Sequence, residues 1–499
     1  MSSDMDASGL ANWLGIQTNA GREALATRQW LDASGARGAS YKFASCQAAL
    51  ASQPLDLTGE WKKLAEIESQ LDPLVKPASA LEQETYSELL FLSDWSKPLN
   101  FIPFLLSIWS IIRIYILPGL SLLLPLLVIV LPYLIIRFMM NIPMNYDTYW
   151  DMLYKILKGQ MPNLATPAAA QEPAATQPAD LFKALGKMAW IGSTLFQSLA
   201  QPYWNYKHLK KVNSIICEKG KIVQELSTLY NQIGAKVGNL GIEIFKNPLA
   251  TKSPAETLAS TLTDPIPTRH CLRLLGQLEV LLALASAPGI CPVRWQPGSQ
   301  ILEIQDCFDF HVDTTKQKKF NINLSKRHHA ILTGPNRGGK STVLRAVLSS
   351  VKLGHTFGCA FGSDCKMSYL DNLFTCLKPD DLPGSKSRFE REVEFTAGTL
   401  RPRGNALVLI DELYHSTNPA DAKEACRFYL GRLWHQANTM SIISTHIFEL
   451  VEEAESDVQR LCCPAKDLGE GKVEFLYGLE EGICKVSSVH ELLVAAGMR

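Results

Sequence analysis

Apolar residues recur at three-to-four spacing from Leu181 to Pro288, as in LFKALGKMAWIGSTLFQSLA at 181–200 and CLRLLGQLEVLLALASA at 271–287. That period predicts an all-helical region. Beyond it the pattern shortens to β-rich runs, ILEI at 301–304, HAILTG at 329–334, NALVLID at 405–411 and SIISTH at 441–446, separated by helical stretches. Strands alternating with helices predict an α/β domain with a mostly parallel sheet over 291–499. Residues 1–98 show helical hints, such as Trp61 to Ile67 and Leu81 to Leu92, and no motif.

Between these parts the pattern fails altogether. Residues 99–140 are apolar throughout, with Arg113 and Arg137 as the only charges. A helix needs ~20 residues to cross a bilayer, and this run holds two such lengths, 99–117 and 120–140, with Pro118-Gly119 as a natural turn between them. The expectation is a transmembrane helical hairpin contacting membrane lipid; the alternatives are a single span from Ile114 to Ile136 between the two arginines and a helix pair buried in a soluble core. Residues 141–180 then form a juxtamembrane segment and a linker, ending in the Ala/Pro/Thr/Gln tract PNLATPAAAQEPAATQPAD at 162–180, which cannot build a core.

Composition narrows the function classes. The 49 Lys+Arg balance 49 Asp+Glu, so binding to nucleic acid through bulk positive charge is excluded and any such contact is local. Twelve cysteines without a CxxC pair argue for a reducing compartment and against a disulfide or zinc framework. Within 180–290 there are 12 Lys+Arg against 7 Asp+Glu. Lys207, Lys210, Lys211, Lys219 and Lys221 follow Tyr203, Trp204 and Tyr206, a pattern suited either to nucleic acid or to anionic lipid.

The chemistry concentrates in the α/β part. Gly334, Pro335, Asn336, Arg337, Gly338, Gly339, Lys340 and Ser341 form a complete GxxxxGK[ST] between an apolar strand and a helix, with Thr342 next on the helix. Glycines let the backbone amides cradle phosphates, the helix N-terminus favours anions, Lys340 reaches the terminal phosphates and Ser341 ligates magnesium. The cofactors expected are therefore ATP and Mg2+. Further on, the strand Leu407 to Ile410 runs into Asp411 and Glu412, placing Asp411 beside the metal and Glu412 where it can polarise an attacking water. His446 ends another apolar strand, either as a γ-phosphate sensor or as a polar strand cap.

The runs TGPNRGGKST, FTCLKPDDLPGSKSRFEREV, LVLIDELYHSTNPADA and STHIFEL, in this order, resemble the C-terminal ATPase of the MutS family of DNA mismatch-repair proteins. The ending FLYGLEEGICKVSSVHELLVAAGM is similar to that domain's closing segment, and the region 181–290 looks like its lever helices. The resemblance implies an ABC-type ATPase working as a homodimer whose sites are completed by the partner. It places Phe320 at the adenine, a role that competes with a strand-end core aromatic, and Asn336 at the phosphates. It places Ser387 at the other subunit's γ-phosphate, against a solvent-loop alternative, with Phe389 and Glu392 in the same motif and Asp421 at the dimer interface. Departures stand out: Gly384-Ser385 displaces the motif glycine, Arg388 replaces a threonine, Tyr414-His415-Ser416-Thr417 replaces G-R-G-T, and no Phe-x-Glu wedge for probing mispairs occurs. The chain resembles a short membrane-anchored subgroup.

The function expected is a DNA-dependent Mg-ATPase that binds DNA through its helical region, with the ATPase domain facing the cytosol or another ATP-containing interior compartment. A nucleotide-gated membrane scaffold and an ABC-type transport ATPase are the alternatives. No LSGGQ-like run precedes Asp411, and two spans per subunit are too few for a transporter.

Overall fold

A computed structural model describes residues 6–75, 80–102, 104–157, 178–242, 244–249, 252–298, 300–377, 387–469 and 472–487, with Leu493 and Met498. The chain divides into two compact units. One comprises Met1–Ala65, Tyr230–Lys246 and Leu272–Arg499, the other Glu66–Leu229 and Asn247–Cys271.

The first unit is built on a six-stranded sheet, in the order Glu480–Glu481, Val458–Cys462, His329–Thr333, Thr439–Ser444, Ala406–Ile410 and Asn372–Cys376. All neighbours are parallel except the antiparallel edge pair at Leu461 and Glu481. Three central strands, HAILT, ALVLI and TMSIIS, are buried along their whole length, because both faces of a parallel sheet are covered. Helix Lys340–Phe357 belongs to one core cluster with Leu332, Leu407, Leu409 and Ile442; helix Pro419–Leu433 belongs to the other with Ile331, Val408, Ile410 and Ile443. A five-stranded mixed sheet, in the order Phe320–Asn323, Leu302–Cys307, Asp364–Met367, Ile290–Trp295 and Cys359–Phe361, shares the first cluster.

The N-terminal helices Ala7–Trp13, Asn19–Thr27 and Ala33–Ser52 belong to this unit, a contribution that no motif in residues 1–98 announces. The Trp30 ring stacks on His355 with centroids 4.0 Å apart, and its indole N–H donates to Leu370 O at 3.1 Å. Trp13 meets Phe308, Phe310 and Phe361, and Trp295 donates to Ser40 Oγ at 2.7 Å. Gly358, at φ 75°, permits a close approach: a Cβ there would lie 2.1 Å from Ser40 N. Buried Glu279 accepts from Thr18 Oγ1 at 2.5 Å and from Gln17 N at 2.8 Å, fixing the start of the second helix to helix Ile266–Ser286.

The second unit is helical. Helix Pro178–Gly238 runs for 61 residues through Pro202. Gly220 lets it meet Pro254, where a Cβ would lie 1.9 Å from the Pro254 carbonyl oxygen. Ser253 and Glu256 form a reciprocal cap on helix Pro254–Thr263, and Glu256 also accepts from Phe104 N at 3.0 Å.

The expected hairpin is corrected here. Residues 105–139 form one continuous helix, with wide π turns at 112–116 and 135–139, and Pro118-Gly119 lies inside it. Proline at the start of an α segment loses no hydrogen bond that the helix needs, and the π turn before it re-registers the carbonyls that the ring would otherwise block. By length and mean hydropathy (1.7) the segment Leu105–Leu123 qualifies as a membrane span, and 17% of its most apolar window is buried. The tract 162–180 lies almost wholly outside the described residues, as do Gly384-Ser385.

Burial lowers the pKa of His329 and His355 from 6.5 to about 4, since neither ring's charged form is solvated. A base whose folded pKa lies below its unfolded value stabilises nothing when protonated, so stability is complete above pH 6.5 and is lost as pH falls towards 4. Thermal melts over that range should show a slope of up to about 1.4 kcal/mol per pH unit for each histidine. The variant His355→Gln should show a shallower slope than the wild type; an unchanged one would contradict the assignment.

Candidate active site

The buried strand HAILT delivers the chain into a loop that only an unusual backbone can follow. Gly334 has φ 145°, Arg337 67° and Gly339 103°, and a Cβ on Gly334 would press to 3.0 Å of Cys463 O. The loop closes on helix Lys340–Phe357, whose first-turn amides are the natural seat of an anion. Asn336 and Arg337 are exposed on the loop, while Lys340 is buried and its Nζ donates to Gly334 O at 3.0 Å and Pro335 O at 3.2 Å. Burial pulls the Lys340 pKa down, and the nearby Asp411 and Glu412 carboxylates push it back. The lysine is thus held inside the loop with charge to offer to a phosphate. Thr342 is half-buried, and its Oγ1 accepts from Arg345 at 3.4 Å.

The second half of the site comes from the strand ALVLI. Asp411 stands at its end with Oδ2 2.5 Å from Ser341 Oγ and Oδ1 2.5 Å from Ser444 Oγ. Ser444 also accepts from Glu412 N at 2.8 Å, so one hydroxyl orients both carboxylate residues. Glu412 adopts φ 55°, an uncommon conformation for a non-glycine residue. It turns its carboxylate to His446, whose Nε2 lies 3.1 Å from Oε1. Lys340, Ser341, Asp411, Glu412 and His446 are therefore brought together around one loop.

Other expected residues fall elsewhere. Phe320 is a buried strand-end aromatic, 7% exposed, inside the core cluster with Leu302 and Ile322. Ser387 caps helix Arg388–Thr399, exchanging hydrogen bonds with Glu390. Phe389 packs edge-on against Tyr414, with centroids 5.7 Å apart. Asp421 N donates to Asn418 Oδ1 at 2.9 Å, in the exposed first turn of helix Pro419–Leu433.

Three contributions escaped the sequence. Ser444 carries no motif of its own, although it lies in the quoted STHIFEL run. Tyr477 lies 3.8 Å from where a Gly339 Cβ would be, half exposed beside the phosphate loop. The third is a contact: Arg388 donates to His415 Nε2 at 2.7 Å, and His415 Nδ1 lies 3.1 Å from Glu412 O and 3.6 Å from Glu392 Oε1. Two departures from the expected pattern therefore touch each other and reach the backbone of Glu412.

Among the described residues no cluster of three or more His, Cys, Asp or Glu side chains is suited to a metal. Paired hard oxygens from Ser341 and Asp411 fit magnesium, which takes few protein ligands and completes its shell with water and phosphate oxygens. Residues 330–498 match the family model MutS domain V.

Hydrogen bonds to charged groups contribute ~1.5–3 kcal/mol. Ser444→Ala should therefore weaken magnesium-dependent nucleotide binding about tenfold or more in calorimetry while leaving the fold intact; unchanged binding would remove Ser444 from the site.

Proposed function

We propose that the protein is a membrane-held ATPase of the MutS type, in which two copies close on ATP and magnesium and reopen on hydrolysis. The observation that carries this reading is the convergence of Ser341, Asp411 and Ser444 beside buried Lys340, with Glu412 and His446 paired at the edge. Lys340 and the loop amides bind the phosphates; Asp411 and Ser341 hold magnesium, which neutralises charge on the phosphate oxygens. Glu412, oriented through Ser444 and carrying His446 on its carboxylate, accepts a proton from the attacking water. The exposed ring of Tyr477 is available to an adenine at the loop.

Pairing of two copies is supported by the matched family and by the exposed positions of Ser387 and Asp421. Membrane attachment is supported by the helix over 105–139, on which Tyr115, Leu120, Leu123, Leu127, Leu131 and Phe138 are each 51% to 69% exposed. Water gives such a surface no stable home. The parent family of the matched domain makes DNA the partner class proposed. The helical region offers less to it than its lysine count suggests, because Lys219 is engaged by Tyr86 OH at 2.5 Å and Glu82 at 3.5 Å.

Two tests follow. Glu412→Gln should lower phosphate release at least a hundredfold while ATP still drives two copies together in sedimentation, whereas Lys340→Ala should abolish ATP-dependent pairing. Equal near-zero release by wild type and Glu412→Gln would favour a scaffold that binds nucleotide without turnover. Anisotropy titrations of the full chain with matched, mismatched and branched duplexes, at two salt concentrations, should show salt-sensitive binding without mismatch preference. No binding at low salt would remove nucleic acid from the proposal.

A further inference from the structure

Met1–Ala65 and Leu272–Arg499 belong to one compact unit, yet the apolar helix over 105–139 lies on the chain between them. Contacts such as Trp30 on His355 and Trp295 on Ser40 are direct side-chain packing and hydrogen bonding, which cannot form across a bilayer. Both parts must therefore stand on one side of any membrane. If the chain crosses at all, it crosses an even number of times between residues 66 and 271.

The apolar helix supplies one crossing, not two, because it does not turn at Pro118. Its first part is claimed by protein: Leu106 and Ile114 are buried, and Arg113 Nε donates to Glu88 O at 3.3 Å. The lipid-facing length accordingly starts at Tyr115, close to the 23 uncharged residues from Ile114 to Ile136, which span ~35 Å as a helix. This shifts the membrane segment towards the C-terminal part of the helix, past the Leu105–Leu123 window that hydropathy alone selects.

The second long helix holds an uncharged stretch of the length a return crossing needs. Between Lys187 and Lys207, the 19 residues MAWIGSTLFQSLAQPYWNY carry no charge, and they lie inside helix Pro178–Gly238. Their length is ~29 Å, about the thickness of the hydrocarbon. Gly192, Ser193, Thr194 and Ser198 are residue types that pack and hydrogen-bond between helices in lipid, and Pro202 is tolerated there.

The two stretches share a boundary. The Tyr115 and Tyr206 rings meet with centroids 5.8 Å apart, one at the start of the first stretch and the other at the end of the second. Around that level stand Tyr203 and Trp204, 59% and 62% exposed, with Lys207 Nζ 5.7 Å from the Trp204 ring and Lys210 Nζ 5.6 Å from the Tyr206 ring. Aromatic rings with lysines reaching past them are the anchor of a helix at the headgroup layer. The opposite end has its own collar. Arg137 bonds Tyr133 OH at 2.7 Å, and the exposed Tyr146, Trp150 and Tyr154 recur every four residues along helix Tyr146–Leu157.

We propose that residues 188–206 form a second membrane crossing that returns the chain after residues 114–136, and that Tyr203, Trp204, Lys207, Lys210 and Lys211 seat on lipid headgroups rather than on nucleic acid. This rests on the membrane attachment proposed above. The full chain, with one epitope tag inserted after Ala168 and another after Arg499, is expressed in membranes. The tags are then probed with antibody in sealed vesicles of both orientations, alongside carbonate extraction. The expected result is a chain that carbonate does not release, with the two tags on opposite sides. Leu195→Lys should lower the fraction of opposite-sided chains at least tenfold, while ATP binding reports an intact first unit.

Release by carbonate would sink membrane attachment itself. Retention with both tags on one side would leave attachment standing and overturn the return crossing. The joint replacement Lys207→Glu, Lys210→Glu, Lys211→Glu should leave duplex binding of the detergent-solubilised chain within twofold. A tenfold loss would overturn the lipid assignment of those lysines in favour of nucleic acid.

Discussion

The arrangement beside the phosphate loop depends on how one carboxylate is held. Asp411 ends a buried strand with one oxygen on Ser341, in the first turn of the helix after the phosphate loop, and the other on Ser444, at the end of the neighbouring strand. A carboxylate with both oxygens bonded has little freedom, so the two strand ends and the helix start are locked into one geometry. The strained backbone of Glu412 is tolerated because its amide is satisfied by the same serine. Glu412 thus inherits its position from Asp411 through Ser444.

The parts legible in the sequence were those whose physics is local. A phosphate loop is eight consecutive residues, and an apolar strand ending in Asp-Glu is six, so both announce themselves without tertiary information. Ser444 did not, because its importance lies in standing beside Asp411 across a strand pair, 33 residues away. Pro118-Gly119 misled for the opposite reason. A proline marks a turn only where its missing amide would be needed, and at the start of an α segment after a wide turn it is not. The N-terminal helices were silent because their partners are more than two hundred residues distant: Trp30 finds His355, and Ser40 finds Trp295.

Arg388 and His415 show how departures from a pattern can be read together. Taken singly, each weakens the resemblance at its own motif. In the fold they are one hydrogen bond, linking the helix that begins after Ser387 to the carbonyl of Glu412. A substitution at one position therefore has its counterpart at the other. The nearby Phe389 and Tyr414 rings pack in the same direction, from helix to loop. The helix behind Ser387 is thereby tied to the backbone of Glu412 by a bond of this chain's own.

The first unit's discontinuity sets a schedule for synthesis. Its N-terminal helices leave the ribosome about 240 residues before the sheet they cover, an interval of roughly 12–48 s at 5–20 residues per second. During that time Trp13, Trp30 and Phe43 have no surface to pack on, while the apolar stretch behind them is already emerging. Collapse of the waiting helices onto that stretch competes with their docking, so the nascent chain is most exposed to aggregation before its sheet exists.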